Sequence, residues 1–256
     1  MSDVNPIPFT FRLIACVALV ILLVPVLVVV MAGLNSGDFL SFPPEGVSLR
    51  WIVAFFKSNI FLPAFGVSFG LATLTTIIST ILGTMTAIFL TRSKSQFTGL
   101  LRGLFVLPVV LPGVVLGLAL YVFYSWSNIG LARSFTGLLI GHVLVTMPFI
   151  VATITASLVD FDLSVEEAAR SLDATPWQAF RKVTLPIIAP GISAGTIFAF
   201  IISFGQFELT LFLSTPDLQT LPIAIYTSLR YAFEPTAAAA GIFAIALVIT
   251  STLVAS

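Results

Sequence analysis

Long apolar stretches without charged residues, separated by short polar segments, make up almost the whole chain. A helix needs about 20 apolar residues to cross a bilayer core of about 30 Å, and six of these stretches are that long. The pattern therefore predicts an all-α membrane protein with six transmembrane helices, at roughly 11–33, 64–91, 104–125, 137–159, 188–213 and 236–256.

A charged segment at residues 160–186 separates the fourth and fifth predicted helices. Ser164 and Glu167 have the spacing of a capping box, in which two side chains satisfy the free backbone groups at a helix start. Thr175 and Gln178 have the same spacing, with a proline at the favoured first position. We therefore expect two short helices in this segment, at about 164–172 and 175–183.

A tight turn at Asp173-Ala174 has to join these two short helices. Aspartate is one of the few residues that tolerates the left-handed backbone conformation of such a turn, so we predict a positive φ at Asp173. Residues 49–60 are also expected to form a short amphipathic helix on the outer membrane surface, capped by Ser48.

The composition agrees with a membrane protein and excludes several other classes. The chain is 58% hydrophobic and 9% charged, with a net charge of zero, which gives no electrostatic basis for binding nucleic acid. Cys16, the single cysteine, is interpreted as a small buried hydrophobe. His142, the single histidine, has no Cys or His nearby, so neither a metal site nor a catalytic site is predicted.

The distribution of basic residues predicts which side of the membrane each loop faces. With six helices both termini share one side, and the loops on that side carry seven Lys or Arg, against four on the other. The positive-inside rule places the richer side, with both termini and residues 160–186, in the cytoplasm. The whole chain, 1–256, is predicted to be one transmembrane domain.

Glycines four residues apart recur within the predicted helices. Lipid offers no hydrophobic drive for helix association, so small residues that allow close backbone approach favour helix packing. We therefore interpret these glycines as packing residues, and the alternative is that they line a pore. These pairs are Gly66 and Gly70, Gly113 and Gly117, Gly137 and Gly141, and Gly191 and Gly195.

The 160–186 segment resembles a family motif. Glu167-Ala168-Ala169, three residues, Asp173, nine residues and then Val183-Thr184-Leu185-Pro186 are similar to the EAA loop of bacterial ABC importer permeases, except that Asp173 stands where that family has glycine. The resemblance implies a type I importer-like bundle in which the loop is a coupling helix docked on the ATPase, although these residues could serve only as caps and helix formers. Leu185-Pro186 would end the loop and fix the angle of the fifth helix. The residues expected to couple to the ATPase are Glu166, Glu167, Ala168, Ala169, Ser171, Leu172, Asp173, Leu185 and Pro186.

The same resemblance implies a set of partners in the bacterial inner membrane. These are a second, different permease subunit, two ATP-binding subunits and a periplasmic solute-binding protein. The chain has no Gly-x-x-x-x-Gly-Lys-Ser/Thr loop, so it is expected to bind no cofactor, to leave MgATP to the ATPase partner and not to be an enzyme itself.

A tentative substrate path follows from the one charge deep in a predicted helix, Glu208. The alternative is that Glu208 lies near the outer surface and simply meets water. Two segments, 42–51 and 221–226, resemble the spermidine/putrescine branch, which favours a polyamine substrate. An opine, an amino acid, a phosphonate or iron carried by the same machinery, or an ATP-independent carrier or channel, are the alternatives. The proposed path comprises Ser203, Phe204, Gln206, Phe207 and Glu208.

Overall fold

A computed structural model of the chain describes residues 8–159 and 161–254, and the regular elements within them are helices, as predicted. They are α1 (Phe9–Gly33), α2 (Arg50–Lys57), α3 (Phe61–Arg92), α4 (Thr98–Val110), α5 (Gly113–Ser127), α6 (Phe135–Val159), α7 (Leu163–Ser171), α8 (Pro176–Ala179), a π-helical turn (Phe180–Thr184), α9 (Leu185–Gly205), α10 (Thr210–Leu213), a 3-10 turn (Pro216–Leu218), α11 (Leu221–Tyr231) and α12 (Thr236–Val254).

The described residues contain five helices that are long and apolar enough to cross a membrane, and a bent pair that makes a sixth span if it is counted as one. The five are α1, α3, α6, the run Pro176–Gly205 and α12. The predicted cytoplasmic placement of both termini falls partly on residues 1–7 and 255–256, which lie outside the described part, as does residue 160 of the predicted loop.

The prediction of one helix at 104–125 is wrong, because α4 and α5 are separate and meet at 104°. Leu111 is extended, with ψ 136°, and Pro112 follows it. A proline disfavours the helical conformation of the residue before it, and it cannot donate a backbone hydrogen bond. The uninterrupted apolar composition of the stretch concealed this break.

The prediction of a continuous helix at 188–213 is also wrong at both ends. The helix ends at Gly205, residues 206–209 are non-helical, and the short α10 follows. We call residues 206–209 the break. At the other end, the helix predicted at 175–183 does not stop, but continues through the π-helical turn into α9.

The sequence predicts that Leu185-Pro186 ends the loop, but Pro186 lies inside this continuous helix. A proline within a helix removes one backbone hydrogen bond and crowds the carbonyl one turn before it. The π-helical turn Phe180–Thr184 directly precedes it and widens the backbone there, which accommodates the ring without ending the helix.

The chain divides into two compact units. The first comprises the described residues up to Leu62 together with Ala224–Leu247. In it, Gly33 of α1 lies so close to the backbone of α12 that a Cβ would approach Ala239 N to 2.9 Å. Phe55 of α2 stacks on Phe243 of α12, with ring centroids 4.4 Å apart.

The short amphipathic helix predicted at 49–60 is present in this first unit as α2, but its cap differs from the prediction. Leu49 takes the N-cap position, and Ser48 Oγ accepts a hydrogen bond from the Arg50 N–H at 3.2 Å. Arg50 also forms an ion pair with Asp38, with Nη2 and Oδ1 2.6 Å apart.

The second unit comprises Pro63–Ile223 and the residues from Val248. In it, α6 and α9 approach each other closely at two glycines. A Cβ on Gly191 would reach Thr153 O at 2.9 Å, and one on Gly195 would reach the Ile150 Cα at 3.1 Å. The predicted packing role of glycine is therefore confirmed here. It is wrong within this chain for Gly66 and Gly70, which have no atom within 4 Å of such a Cβ among the described residues.

Two clusters of buried apolar side chains form the core of the second unit. One joins α3, α6 and α9 through Ala87, Leu90, Ile150, Val151, Ile154, Leu158, Ile188 and Ala199. The other joins α3, α5, α6 and α10 and the break through Leu71, Leu116, Tyr124, Leu138, Leu209 and Leu213.

Candidate functional site

The start of α7 is capped by Asp162 and not, as predicted, by Ser164. The Asp162 carboxylate accepts a hydrogen bond from the Ser164 N–H at 2.9 Å. The helix begins one residue earlier than expected, and aspartate caps a helix as well as serine does. Hydrogen bonds from the backbone and side chain of Ser164 hold the pKa of the exposed Asp162 carboxyl below its ordinary value.

The turn after α7 confirms the expected role of Asp173, whose φ is 62°. The Asp173 N–H donates to Arg170 O and the Ala174 N–H to Ala169 O, each at 3.2 Å. These two bonds are those of a Schellman motif, which ends a helix with one left-handed residue. Asp173 therefore fills the position at which glycine is the commonest residue.

The second capping box is present as predicted. The Gln178 N–H donates to Thr175 Oγ1 at 3.3 Å, and Gln178 Oε1 accepts from the Thr175 N–H at 2.9 Å. The chain thus re-enters a helix directly after the Asp173 turn, and this helix runs on into α9.

An ion pair and a hydroxyl attach α7 to the membrane-spanning helices. The Arg92 guanidinium at the end of α3 donates to both carboxylate oxygens of Glu166, with Nη2–Oε2 2.6 Å and Nη1–Oε1 3.3 Å. Thr184, directly before α9, donates to Glu166 Oε2 at 2.7 Å and accepts from Arg92 Nη2 at 3.2 Å. We call Arg92, Glu166 and Thr184 the anchor.

The anchor is largely shielded from water. The side chain of Glu166 is 14% exposed and that of Arg92 28% exposed, while Thr184 is fully buried. Burial raises the pKa of the Glu166 carboxyl, but the hydrogen bonds from Thr184 and Arg92 and the charge of Arg92 outweigh it, so this pKa lies below its ordinary value. The stabilisation that the ionised Glu166 carboxylate contributes is therefore complete at neutral pH, and it is lost as the pH falls through the lowered pKa.

Sequence reasoning missed two of the three anchor residues. Arg92 counted only as one of the basic residues that orient the chain, and Thr184 stood at an unassigned position of the motif. Glu166 was included, and the structure separates it from Glu167, because Glu166 faces the bundle and Glu167 is exposed.

The opposite face of α7 is apolar and open to solvent. Val165, Ala168 and Leu172 share it because they are three and seven residues apart, and Leu172 is 83% exposed. We call these three residues the outer face. Of the other motif positions, Ala169 of α7 is half-buried and Ser171 is exposed, whereas in α9 Leu185 packs against the core and Pro186 is exposed.

The five residues of the predicted path do not lie on one helix. Ser203 and Phe204 are buried near the end of α9, whereas Gln206, Phe207 and Glu208 belong to the break. The Glu208 carboxylate lies against the first residue of α5, Gly113, where a Cβ would collide with it. The two broken helices therefore meet at Glu208.

The break packs beside α5 and α6 within the length of both helices, although the Glu208 side chain itself is exposed in the isolated chain. Leu209 contacts Gly117 of α5 and Gly141 of α6, and a Cβ on either glycine would come within 3.0 Å of it. In residues 8–159 and 161–254, no three His, Cys, Asp or Glu side chains converge where they could hold a metal ion.

Comparison with known proteins gives consistent matches. Residues 79–255 match the family described as binding-protein-dependent transport system inner membrane component. The spermidine/putrescine transport system permease protein PotC of Escherichia coli (strain K12) is 26% identical over 91% of this chain and 89% of its own length. The putrescine transport system permease protein PotI of the same strain is 30% identical over 82% and 76%.

Among solved structures, a chain of a bacterial alginate ABC transporter in complex with alginate pentasaccharide-bound periplasmic protein has a similar fold. Its TM-score is 0.75 at 19% identity, with 96% of this chain and 91% of that chain covered. The type I importer fold predicted from the sequence is therefore confirmed.

Removing the anchor's charge should loosen α7. In the purified permease without partners, we expect Glu166→Gln to speed hydrogen exchange of the α7 amides about tenfold, because the half-buried Arg92 loses its ionic partner. Glu167→Gln, one residue along and exposed, should exchange like the wild type. Equal exchange rates in both variants would show that the anchor does not hold α7.

Proposed function

Since the chain belongs to the family of binding-protein-dependent transport system inner membrane components, we propose that it forms half of the translocation path of an ATP-driven importer. It is a transport subunit and not an enzyme. In this proposal a second, different permease subunit, two ATPase subunits that hydrolyse MgATP and a periplasmic binding protein complete the assembly. Both termini and the α7 loop face the cytoplasm of a bacterial cell.

The observation that carries the proposal is the anchored α7 with its exposed apolar outer face. Val165, Ala168 and Leu172 form a contiguous exposed apolar patch on a helix that Glu166 holds in place between two spans, and such a patch favours an interaction with a partner protein. A short amphipathic helix with small and apolar residues fits a groove on a partner protein. We assign this groove to the ATPase subunit.

The anchor supplies a route for mechanical coupling. When ATP draws the two ATPase subunits together, a helix seated in their surface moves with them. Glu166 is bonded to Arg92 of α3 and to Thr184, so a displacement of α7 pulls on both helices. Because Pro176–Gly205 is one continuous helix, the movement reaches the break at its far end.

For the substrate we propose a polyamine such as spermidine or putrescine. The relatives PotC and PotI carry these substrates in their names. Glu208 lies in a helix break, and discontinuous helices form the substrate sites of many transporters. A carboxylate there would attract a cationic amine, and the aromatic rings near it could add cation–π contacts. An opine, an amino acid, a phosphonate or iron remain the alternatives.

Docking of the ATPase is tested on the outer face. We expect Leu172→Ser to reduce both the amount of ATPase subunit that co-purifies with the chain and its MgATP hydrolysis by about tenfold or more. The reason is that an apolar side chain is lost from the contact. The control is Val47→Ser, since Val47 is 84% exposed, nearly the same as Leu172, and lies far along the chain.

Wild-type amounts of bound, active ATPase in the Leu172→Ser variant would contradict docking through this face. A well-folded wild-type protein that binds no ATPase at all would instead favour an ATP-independent carrier.

The substrate assignment is tested by uptake of radiolabelled putrescine into cells that depend on this importer. Glu208→Gln removes the carboxylate but keeps the shape, and we expect uptake at low putrescine concentration to fall about tenfold. Glu234→Gln changes an exposed glutamate outside the spans and should leave uptake unchanged. Unchanged uptake in Glu208→Gln would remove this residue from the path, and no putrescine uptake by the wild type would overturn the polyamine assignment.

A further inference from the structure

His142 is the single histidine of the chain and has no role in the function proposed above. It lies on α6 and is 1% exposed. Both ring nitrogens are engaged, with Nδ1 2.9 Å from Ser203 Oγ and Nε2 3.0 Å from Thr210 Oγ1. A buried imidazole with two side-chain partners on other elements has a defined position and orientation.

The two hydroxyls bonded by His142 stand on opposite sides of the break. Ser203 belongs to the last turn of α9, and Thr210 is the first residue of α10. The imidazole ring therefore bridges the two helix ends that the non-helical residues 206–209 separate.

Counting hydrogens assigns the direction of each bond. The Thr210 hydroxyl donates its one hydrogen to Gln206 O at 2.9 Å, so it can only accept from His142, which must carry its hydrogen on Nε2. The bare Nδ1 then accepts from the Ser203 hydroxyl. A neutral imidazole satisfies both partners, and through Thr210 it also supports a backbone carbonyl of the break.

Such support is needed because non-helical backbone is costly within an apolar span. A helix that unwinds there frees N–H and C=O groups, and these persist only where protein or water satisfies them. The break also presses Leu209 against two glycines and places Glu208 against Gly113. The position of Glu208 thus depends on residues 206–209 staying unwound.

We propose that His142 is a positioning residue, a clamp that ties the end of α9 to the start of α10 and so sets where Glu208 stands in the transport path. The clamp itself follows from the hydrogen bonds, whereas its effect on transport rests on the proposed function. It acts through Ser203 and Thr210 and does not contact the substrate.

The clamp is tested without reference to any substrate by labelling the break. Cys16→Ala removes the only cysteine, and Gln206→Cys then gives a single thiol in the break. We expect His142→Leu to change the rate at which a cationic thiosulfonate labels this thiol by about tenfold, because both bonds to the ring are lost. His142→Gln, whose side-chain amide has both N–H donors and a carbonyl acceptor, should recover most of the wild-type rate.

Two further variants separate the clamp from a general loss of structure. Ser157→Ala removes a half-buried hydroxyl that donates to Thr153 O near the other end of α6 and should leave the labelling rate unchanged. Thr210→Val is a smaller change than His142→Leu and should shift the rate in the same direction. Equal labelling rates in wild type, His142→Leu and Thr210→Val would overturn the clamp.

Uptake of putrescine gives the second measurement. We expect His142→Leu to raise the half-saturating putrescine concentration about tenfold, with His142→Gln close to the wild type, because a displaced Glu208 weakens binding. Altered labelling with unaltered half-saturation would confine the clamp to structure and overturn its effect on the path. If His142→Leu alters the labelling rate while the wild-type importer takes up no putrescine, the clamp stands and only the polyamine proposal is refuted.

Discussion

The ion pair between Arg92 and Glu166, completed by the Thr184 hydroxyl, is the interaction on which the arrangement of the polar loop depends. The nine-residue α7 is too short to be stable as an isolated helix. Its apolar outer face points away from the bundle, so these apolar side chains do not hold α7 against the bundle. Because removing one partner of a shielded ion pair leaves the other charge uncompensated, the pair strongly favours one position of α7.

In contrast to the fixed α7, the membrane-spanning part has two places where the helical backbone is interrupted. The backbone is broken at Leu111-Pro112 and again at residues 206–209, and Glu208 lies where α5 begins. Between the anchor and the second break runs one continuous helix, in which a π-helical turn accommodates Pro186. A continuous helix thus links the anchored loop to the break. This arrangement suits a subunit that has to transmit movement from a docked partner to a transport path.

Much of this architecture could be predicted from the sequence because it depends on local physics. The lengths of the apolar stretches located the spans, and the left-handed turn at Asp173 and the Thr175 capping box follow from neighbouring residues alone. The cap of α7 was misplaced by two residues, because Asp162 and Ser164 are both good caps and local pattern does not choose between them.

The remaining features depend on contacts between distant residues. Arg92 and Glu166 are 74 positions apart, and a single sequence does not reveal such a pair. The same holds for His142, whose partners are 61 and 68 positions away. The breaks were hidden because an apolar stretch looks the same whether its backbone is continuous or not. Their cause lies in Pro112 and in the side chains packed against residues 206–209.

The anchor requires that α7 moves with α9 as one body during transport, and a distance measurement tests this directly. In the Cys16→Ala background, spin labels at Ser171→Cys and Phe198→Cys, both exposed positions, report the separation of α7 from α9 in the complete importer. We predict one narrow distance distribution that is the same without nucleotide and with MgATP bound. A distribution that shifts or broadens between these two states would contradict the claim, because α7 would then move independently of the helix it is anchored to.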